Sequence, residues 1–347
     1  MPSTDAIARV PSELAERLRA MPKAEIHVHI EGATAAETFY QMAQQNTVEL
    51  PVQSLDDWRS FFEFRNFSHF IEVYQAAVQC LQTPENYALM IERFYQRQFE
   101  ENIRYTEAFL SASFLVQKFE AEVILDAIAA GQAAGSSQYP CQINLIPDIA
   151  RQMPDSQQSV LELALAGKKR GIFIGIGIGG LEIGHPPEPF KATYAEAKRQ
   201  GLAVVAHAGE AVGSASIWGA IKSLNVDRIG HGIRCLEDPE LVEYLHQNQI
   251  PLEVSPQSNY CLGVVERDRP HPIRQMIDAG LYCTLNSDDP AMFSTSLTNE
   301  YLTLAAQGFS WQELWQLNVN TLEATFLDEA EKQSYRVIWE TFLQTIS

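Results

Sequence analysis

Eight short apolar or β-branched runs recur along the chain, at 24–30, 102–110, 141–147, 172–179, 202–207, 227–231, 250–255 and 281–287. Segments with helical patterning separate them, and several close on a glycine just before the next run, as at Gly171, Gly201 and Gly280. Parallel strands cannot be joined by tight turns and need a crossover, usually a helix. Eight such units close a ring, so the pattern predicts an α/β fold, a (β/α)8 TIM-type barrel, over an open sheet. A length of 347 residues suits a barrel of about 250 residues with insertions.

The largest insertion follows the first run. Between Gly32 and about residue 101 the period becomes helical: Phe70, Val73, Tyr74, Ala77, Val78 and Leu81 fall on one stripe. Ser54 offers an N-cap to the residues after it, and Thr83-Pro84-Glu85 restarts a helix. Residues 32–101 are therefore expected to form a helical cap over one end of the barrel, and helices from about Ser296 to Ile346 to finish the chain. No repeat or linker divides it, so residues 1–347 are read as one domain.

In such barrels the chemistry gathers at the C-terminal ends of the strands. The first run, Ala24-Glu25-Ile26-His27-Val28-His29-Ile30-Glu31-Gly32, places His27 and His29 on one face of a strand. Alone, the triplet does not separate two metal ligands from two hydrogen-bonded core imidazoles. The other ends add weight: His207-Ala208-Gly209-Glu210 on the fifth strand, Gly230-His231-Gly232 on the sixth, Ser255 on the seventh and Ser287-Asp288-Asp289-Pro290 on the eighth. Four of the eight histidines fall at this one face. His27, His29, His207 and Asp288 make a nitrogen and oxygen set suited to zinc or another borderline divalent ion. Such a cation lowers the pKa of water to near 7, and Glu210, His231 and Asp289 stand nearby for proton transfer and orientation.

The four segments His27-Val28-His29-Ile30-Glu31-Gly32, His207-Ala208-Gly209-Glu210, Gly230-His231-Gly232 and Ser287-Asp288-Asp289-Pro290 resemble, in order, the signatures of the adenosine and adenine deaminases of the amidohydrolase superfamily, over roughly residues 21–327. The resemblance implies one zinc ion per chain, held by His27, His29, His207 and Asp288. It implies that Glu210 protonates the purine ring nitrogen beside the amino-bearing carbon, and that Asp289 and His231 orient the attacking water and help take its proton before ammonia leaves. It further implies substrate contacts from His29, Glu31, Gly180 and Asp289, with Gly180 acting through its backbone. The implied activity is hydrolytic deamination of a 6-aminopurine nucleoside of the adenosine type.

Two departures bear on the substrate. Glu31 stands where adenosine deaminases carry aspartate, as in adenine-acting and futalosine-pathway members. Their Asp-Leu-Ala-Gly-Asp-Glu stretch is replaced by Gly177-Ile178-Gly179-Gly180-Leu181-Glu182, and the run from Gly179 to Gly184 looks closer to the deaminases of 6-aminodeoxyfutalosine. Adenine, N6-substituted adenine and 6-aminodeoxyfutalosine are therefore alternatives. A purine-binding protein without catalysis is the non-enzymatic alternative, against which the retention of both Glu210 and Asp289 argues.

Charge narrows the partners. With 25 basic against 44 acidic residues the net charge is −19, which repels phosphate backbones and anionic lipid, so neither nucleic acid nor membrane is expected. No Arg/Lys cluster near the strand ends would hold a phosphate dianion, which makes a nucleotide the least expected substrate. Five scattered cysteines without a Cys-x-x-Cys read as reduced thiols of a cytoplasmic chain. Of the other polar residues, His69, His246 and His271 are expected at the surface or as caps, and His185 at a rigid loop position. Ser258 and Asn259 are expected to bond substrate or satisfy their loop. Phe61, Phe62, Phe64 and Phe67 are expected to pack in the core, with an aromatic lid over a flat purine as the alternative.

Overall fold

The computed structural model describes residues 7–63 and 67–346. Its strands are β1 (Lys23–His29), β2 (Ile103–Leu110), β3 (Gln142–Ala150), β4 (Gly175–Gly179), β5 (Ala203–Ala208), β6 (Arg228–His231), β7 (Leu252–Val254) and β8 (Cys283–Leu285). They pair in sequence order, every neighbour parallel. The seam between last and first closes by a bridge from Val28 to Asp288. There the His29 N–H donates to the Asp288 carbonyl at 2.8 Å and the Asp288 N–H to the His27 carbonyl at 3.0 Å. The fold is a (β/α)8 barrel.

All eight predicted runs overlap a strand. β7 and β8 are shorter than the runs that foreshadow them, and at the seam between β8 and β1 a side chain takes over from the backbone: Asn286 Oδ1 accepts the N–H groups of Ile26 and His27 at 2.9 and 3.1 Å. β3 is longer, continuing past the expected end at 147 to Ala150. Gly171, Gly201 and Gly280 have φ of +71°, +74° and +73°, the left-handed turn that glycine adopts at least cost before re-entering a strand.

Among the described residues five helices lie between β1 and β2, ending with Phe67–Gln79 and Pro84–Glu100. Ser54 caps the helix Leu55–Phe62 by accepting the Asp57 N–H at 3.1 Å, and Asn86 Oδ1 accepts the Thr83 N–H at 3.1 Å to start Pro84–Glu100. Phe61 stacks on Trp58, and Phe62 packs edge-on against Trp58 and beside Phe39. These two rings serve the core. Phe64 and the side chain of Phe67 lie outside the described residues.

No described helix is long and apolar enough to cross a membrane, and the five cysteines are unpaired. His246 is exposed on its helix, as expected. His271 departs from expectation: it is 1% exposed, because the segment leading into the helix Ile273–Asp278 turns its ring inward against Asn259 and the ring of Tyr260.

Candidate active site

β1 delivers His27 and His29, β5 delivers His207, and Asp288 follows β8. One ligand atom from each lies within 4.8 Å of all the others. His29 Nε2 stands 3.1 Å from His207 Nε2, while Asp288 Oδ1 stands 3.6 Å from His27 Nε2 and 3.4 Å from His29 Nε2.

The second ring nitrogens determine what these atoms offer. His207 Nδ1 lies 2.9 Å from the Ile178 carbonyl, which can only accept, so Nδ1 carries a proton. His27 Nδ1 donates to Glu253 Oε2 at 2.7 Å, and Glu253 Oε1 accepts from Arg228 Nε at 2.6 Å. His27 Nε2 is then left buried without a hydrogen-bond partner, facing the cluster. Ring nitrogens 3.1 Å apart beside a carboxylate repel unless a proton or a cation lies among them. The donor set fits a divalent ion of the zinc kind.

The electrostatics agree. Burial opposes charge on His27, but Asp288 and Glu253 outweigh it and raise the ring to about 10. Burial likewise opposes charge on Asp288, but the nearby rings of His27, His231 and His29 hold it well below the usual carboxylate range. Burial lowers His29 to about 4, helped by His27 and His231 against Asp288, and places His207 well below the ordinary imidazole value.

Beside it, Glu210, His231 and Asp288 form a second group within 4.8 Å, with His231 Nε2 3.7 Å from Glu210 Oε2 and 4.0 Å from Asp288 Oδ2. Burial raises Glu210 to about 8, with the charges of Asp288 and Glu182 adding to it. Burial and then Asp288 push Asp289 well above its usual value. The loop that presents Glu210 is gripped by one carboxylate: Glu182 accepts the N–H groups of Gly209, Ala211 and Val212 at 2.7, 2.7 and 2.8 Å. His231 and Asp288 adopt φ of +63° and +65°, a region that costs non-glycine residues of order 1–3 kcal/mol and that clusters at functional sites. Gly32 makes room for Asp289, since a Cβ there would fall 1.7 Å from Asp289 Oδ1.

A pocket of about 840 Å³ opens above these groups. His29, His207, Glu210, His231, Asp288, Asp289 and Gly180 line it, so the structure brings these sequence-predicted residues to one cavity. Its apolar wall comes from Phe70, Ile71 and Tyr74 of the helix Phe67–Gln79, with Phe114 and Leu262. Among the described residues no lysine or arginine lines it. Glu31 does not line it either. It is 1% exposed, its Oε1 accepts the Ser111 N–H at 2.9 Å, and burial raises it to about 7. His185 also stays outside the lining, its carbonyl accepting from Arg151 Nη1 at 2.7 Å.

Sequence reasoning missed Asp148, Gln152, Ser111 and Ser113, which also line the pocket. Asp148 is 7% exposed and its Oδ1 has no hydrogen-bond partner. An acidic residue inside the apolar run Leu145-Ile146-Pro147-Asp148-Ile149-Ala150 was the available signal.

An eight-stranded parallel barrel with a cluster of three imidazoles and a carboxylate at its C-terminal face defines a hydrolase of the amidohydrolase type. The adenosine deaminase family matches residues 22–338, and the chain belongs to that family, whose members are metal-dependent hydrolytic purine deaminases. It is similar to an adenine deaminase of Acinetobacter baylyi, 33% identical over 323 residues that cover 92% of this chain and 97% of the relative. The crystal structure of an adenine deaminase from Arthrobacter aurescens superimposes with a TM-score of 0.87 at 32% identity, covering 94% of this chain and 99% of that one. An amidohydrolase from Burkholderia ambifaria, crystallised with bound Zn, gives a TM-score of 0.86 at 25% identity, covering 95% and 94%.

Proposed function

We propose that this enzyme deaminates free adenine, with one zinc ion held by His27, His29, His207 and Asp288. The observation that supports the reading is the pocket lining: acidic and imidazole groups below, apolar and aromatic side chains at the wall, and no lysine or arginine among the described residues. Such a lining receives a flat neutral heterocycle and offers nothing to a phosphate. Adenine is preferred over adenosine on two grounds. The relatives at 32–35% identity that cover most of the chain are adenine deaminases. The carboxyl that follows the His-x-His strand is held behind the wall by Ser111, away from any sugar.

A divalent cation bound to the four ligands supplies the positive charge that offsets Asp288 and Asp289 and makes water a nucleophile at neutral pH. Glu210, held protonated by its buried position, donates to the ring nitrogen beside the amino-bearing carbon, drawing electrons from that carbon. Asp289 and His231 flank the point of attack, orienting the water and handling its proton. The backbone at Gly180 meets the far edge of the purine, and Phe70, Ile71 and Phe114 exclude bulk water.

Ammonia release by the zinc-loaded protein, with adenine, adenosine, 6-aminodeoxyfutalosine and AMP at equal concentration, tests the proposal. The expected order of kcat/KM puts adenine first and AMP last. A higher value for adenosine overturns the substrate, and turnover of none overturns the activity. The run Gly179–Gly184 favours 6-aminodeoxyfutalosine as a second reading, which the same comparison decides.

A further inference from the structure

We propose that Asn259 and His271 form a positioning relay that fixes the tautomer of His231, holding its proton on Nε2 so that the ring donates to the reacting oxygen and leaves proton removal to Asp289. The inference rests on the deaminase reading for its consequence, though the tautomer itself does not.

The direction of the relay is set at its far end. The backbone N–H of Ile273 points at His271 Nδ1 from 3.1 Å. A backbone N–H can only donate, so that nitrogen is bare, and a neutral ring then carries its proton on Nε2. His271 Nε2 lies 3.0 Å from Asn259 Oδ1 and therefore donates to it. With its oxygen taken, Asn259 turns its amide nitrogen to His231 Nδ1, 3.5 Å away. An amide nitrogen also can only donate, so His231 Nδ1 is bare and the proton sits on Nε2, the atom that faces Glu210 and Asp288.

The parts are held rigidly. Asn259 is fully buried, and His271 and His231 are each 1% exposed. The Asn259 N–H donates to the Ser255 carbonyl at 3.1 Å, and the His271 N–H donates to Gln307 Oε1 at 2.9 Å. Burial lowers His271 to about 3, so its ring stays neutral and keeps a single proton. A ring with both nitrogens protonated at either histidine would set donor against donor, which a dry interior penalises by the full cost of the lost bond. A buried histidine that does not line the pocket thereby acquires a function at the pocket floor.

The test combines NMR and kinetics on zinc-loaded protein labelled with 15N-histidine. In the wild type, long-range proton–nitrogen correlations should show His231 protonated on Nε2. Asn259→Asp replaces the donor facing His231 with an acceptor, so the proton should move to Nδ1, and kcat should fall about 100-fold with KM within about threefold. His271→Phe keeps the ring shape but lets the Asn259 amide turn over, and should give mixed tautomers with a kcat loss of about tenfold. His271→Gln, which restores an N–H donor, should recover most of that loss. If Asn259→Asp does not fold, the two His271 variants decide. A wild-type ring protonated on Nδ1, or a His271→Phe protein with unchanged tautomer and kcat, overturns the relay. Because the NMR readout needs no turnover, failure of the deaminase reading alone would leave the tautomer result standing.

Discussion

The carboxyl of Asp148 occupies the space in which a side chain at Gly177 would sit. A Cβ built on Gly177 falls 2.6 Å from Asp148 Oδ1, and the two residues are register partners across β3 and β4. The stretch that begins with aspartate in adenosine deaminases begins here with that glycine, and a carboxyl reaches the position from the adjoining strand. Gly177→Ala should therefore destabilise the protein by about 1–3 kcal/mol. In an Asp148→Ala background the cost should shrink, giving a coupling of about 0.5–3 kcal/mol by denaturant unfolding. Equal costs in both backgrounds would show that the two positions do not compete for one space.

Glu210→Gln removes an acidic proton at the position where the ring nitrogen is to be protonated, and leaves the four-ligand set untouched. Turnover of adenine should drop by about 10²- to 10⁴-fold while zinc content per chain stays at the wild-type value. Turnover retained within a few-fold would remove Glu210 from the role of proton donor.

Glu253 fixes the orientation of His27 through the Nδ1 bond at 2.7 Å and neutralises Arg228 on its other oxygen. Glu253→Gln should weaken zinc binding about 10- to 100-fold, measured by competition with a chelator, although Glu253 is not in the ligand set. Zinc affinity equal to the wild type would show that His27 is oriented by its packing alone.

Far from the pocket, Arg274 and Glu313 pair between the helices Ile273–Asp278 and Trp311–Glu323, each about one-third exposed. The bond from Arg274, with that from the Ser310 N–H, lowers Glu313 to about 2. A carboxyl depressed on folding binds fewer protons in the native state, so its stabilisation is fully present above the unfolded value near 4.5 and fades as pH falls toward 2. Exposure keeps the effect small. Unfolding free energies of wild type and Glu313→Gln should converge as pH drops through that window. A difference that stayed constant would assign the contribution to the helix cap instead.

The barrel was legible because its signal is local: each strand is a short apolar run, and several helix stops carry a glycine. The metal-ligand candidates were legible because the chain sets them at strand ends, where a titratable residue stands out. What escaped notice depends on contacts between residues distant in sequence. Glu253, in the middle of the three-residue strand β7, reads as an ordinary alternation until His27, 226 residues away, is found beside it. His271 looks like a cap because proline and a helix follow it, and only its contacts with Asn259 and Tyr260 show it buried. Glu31 is buried with its Oε1 accepting the Ser111 N–H and its Oε2 without a hydrogen-bond partner, a placement set by a residue 80 positions away.

The barrel closes at Val28 and Asp288, and the same pair of segments carries three of the four candidate ligands. Ring closure and assembly of the centre are thus one event of very high contact order. A chain emerging from the ribosome can complete seven-eighths of its sheet and still hold only three of the four ligands, with no seam to align them. If the four groups hold the metal as proposed, the complete set exists only once Asp288 docks against β1, and a chain cut before that residue lacks both the seam and its carboxylate.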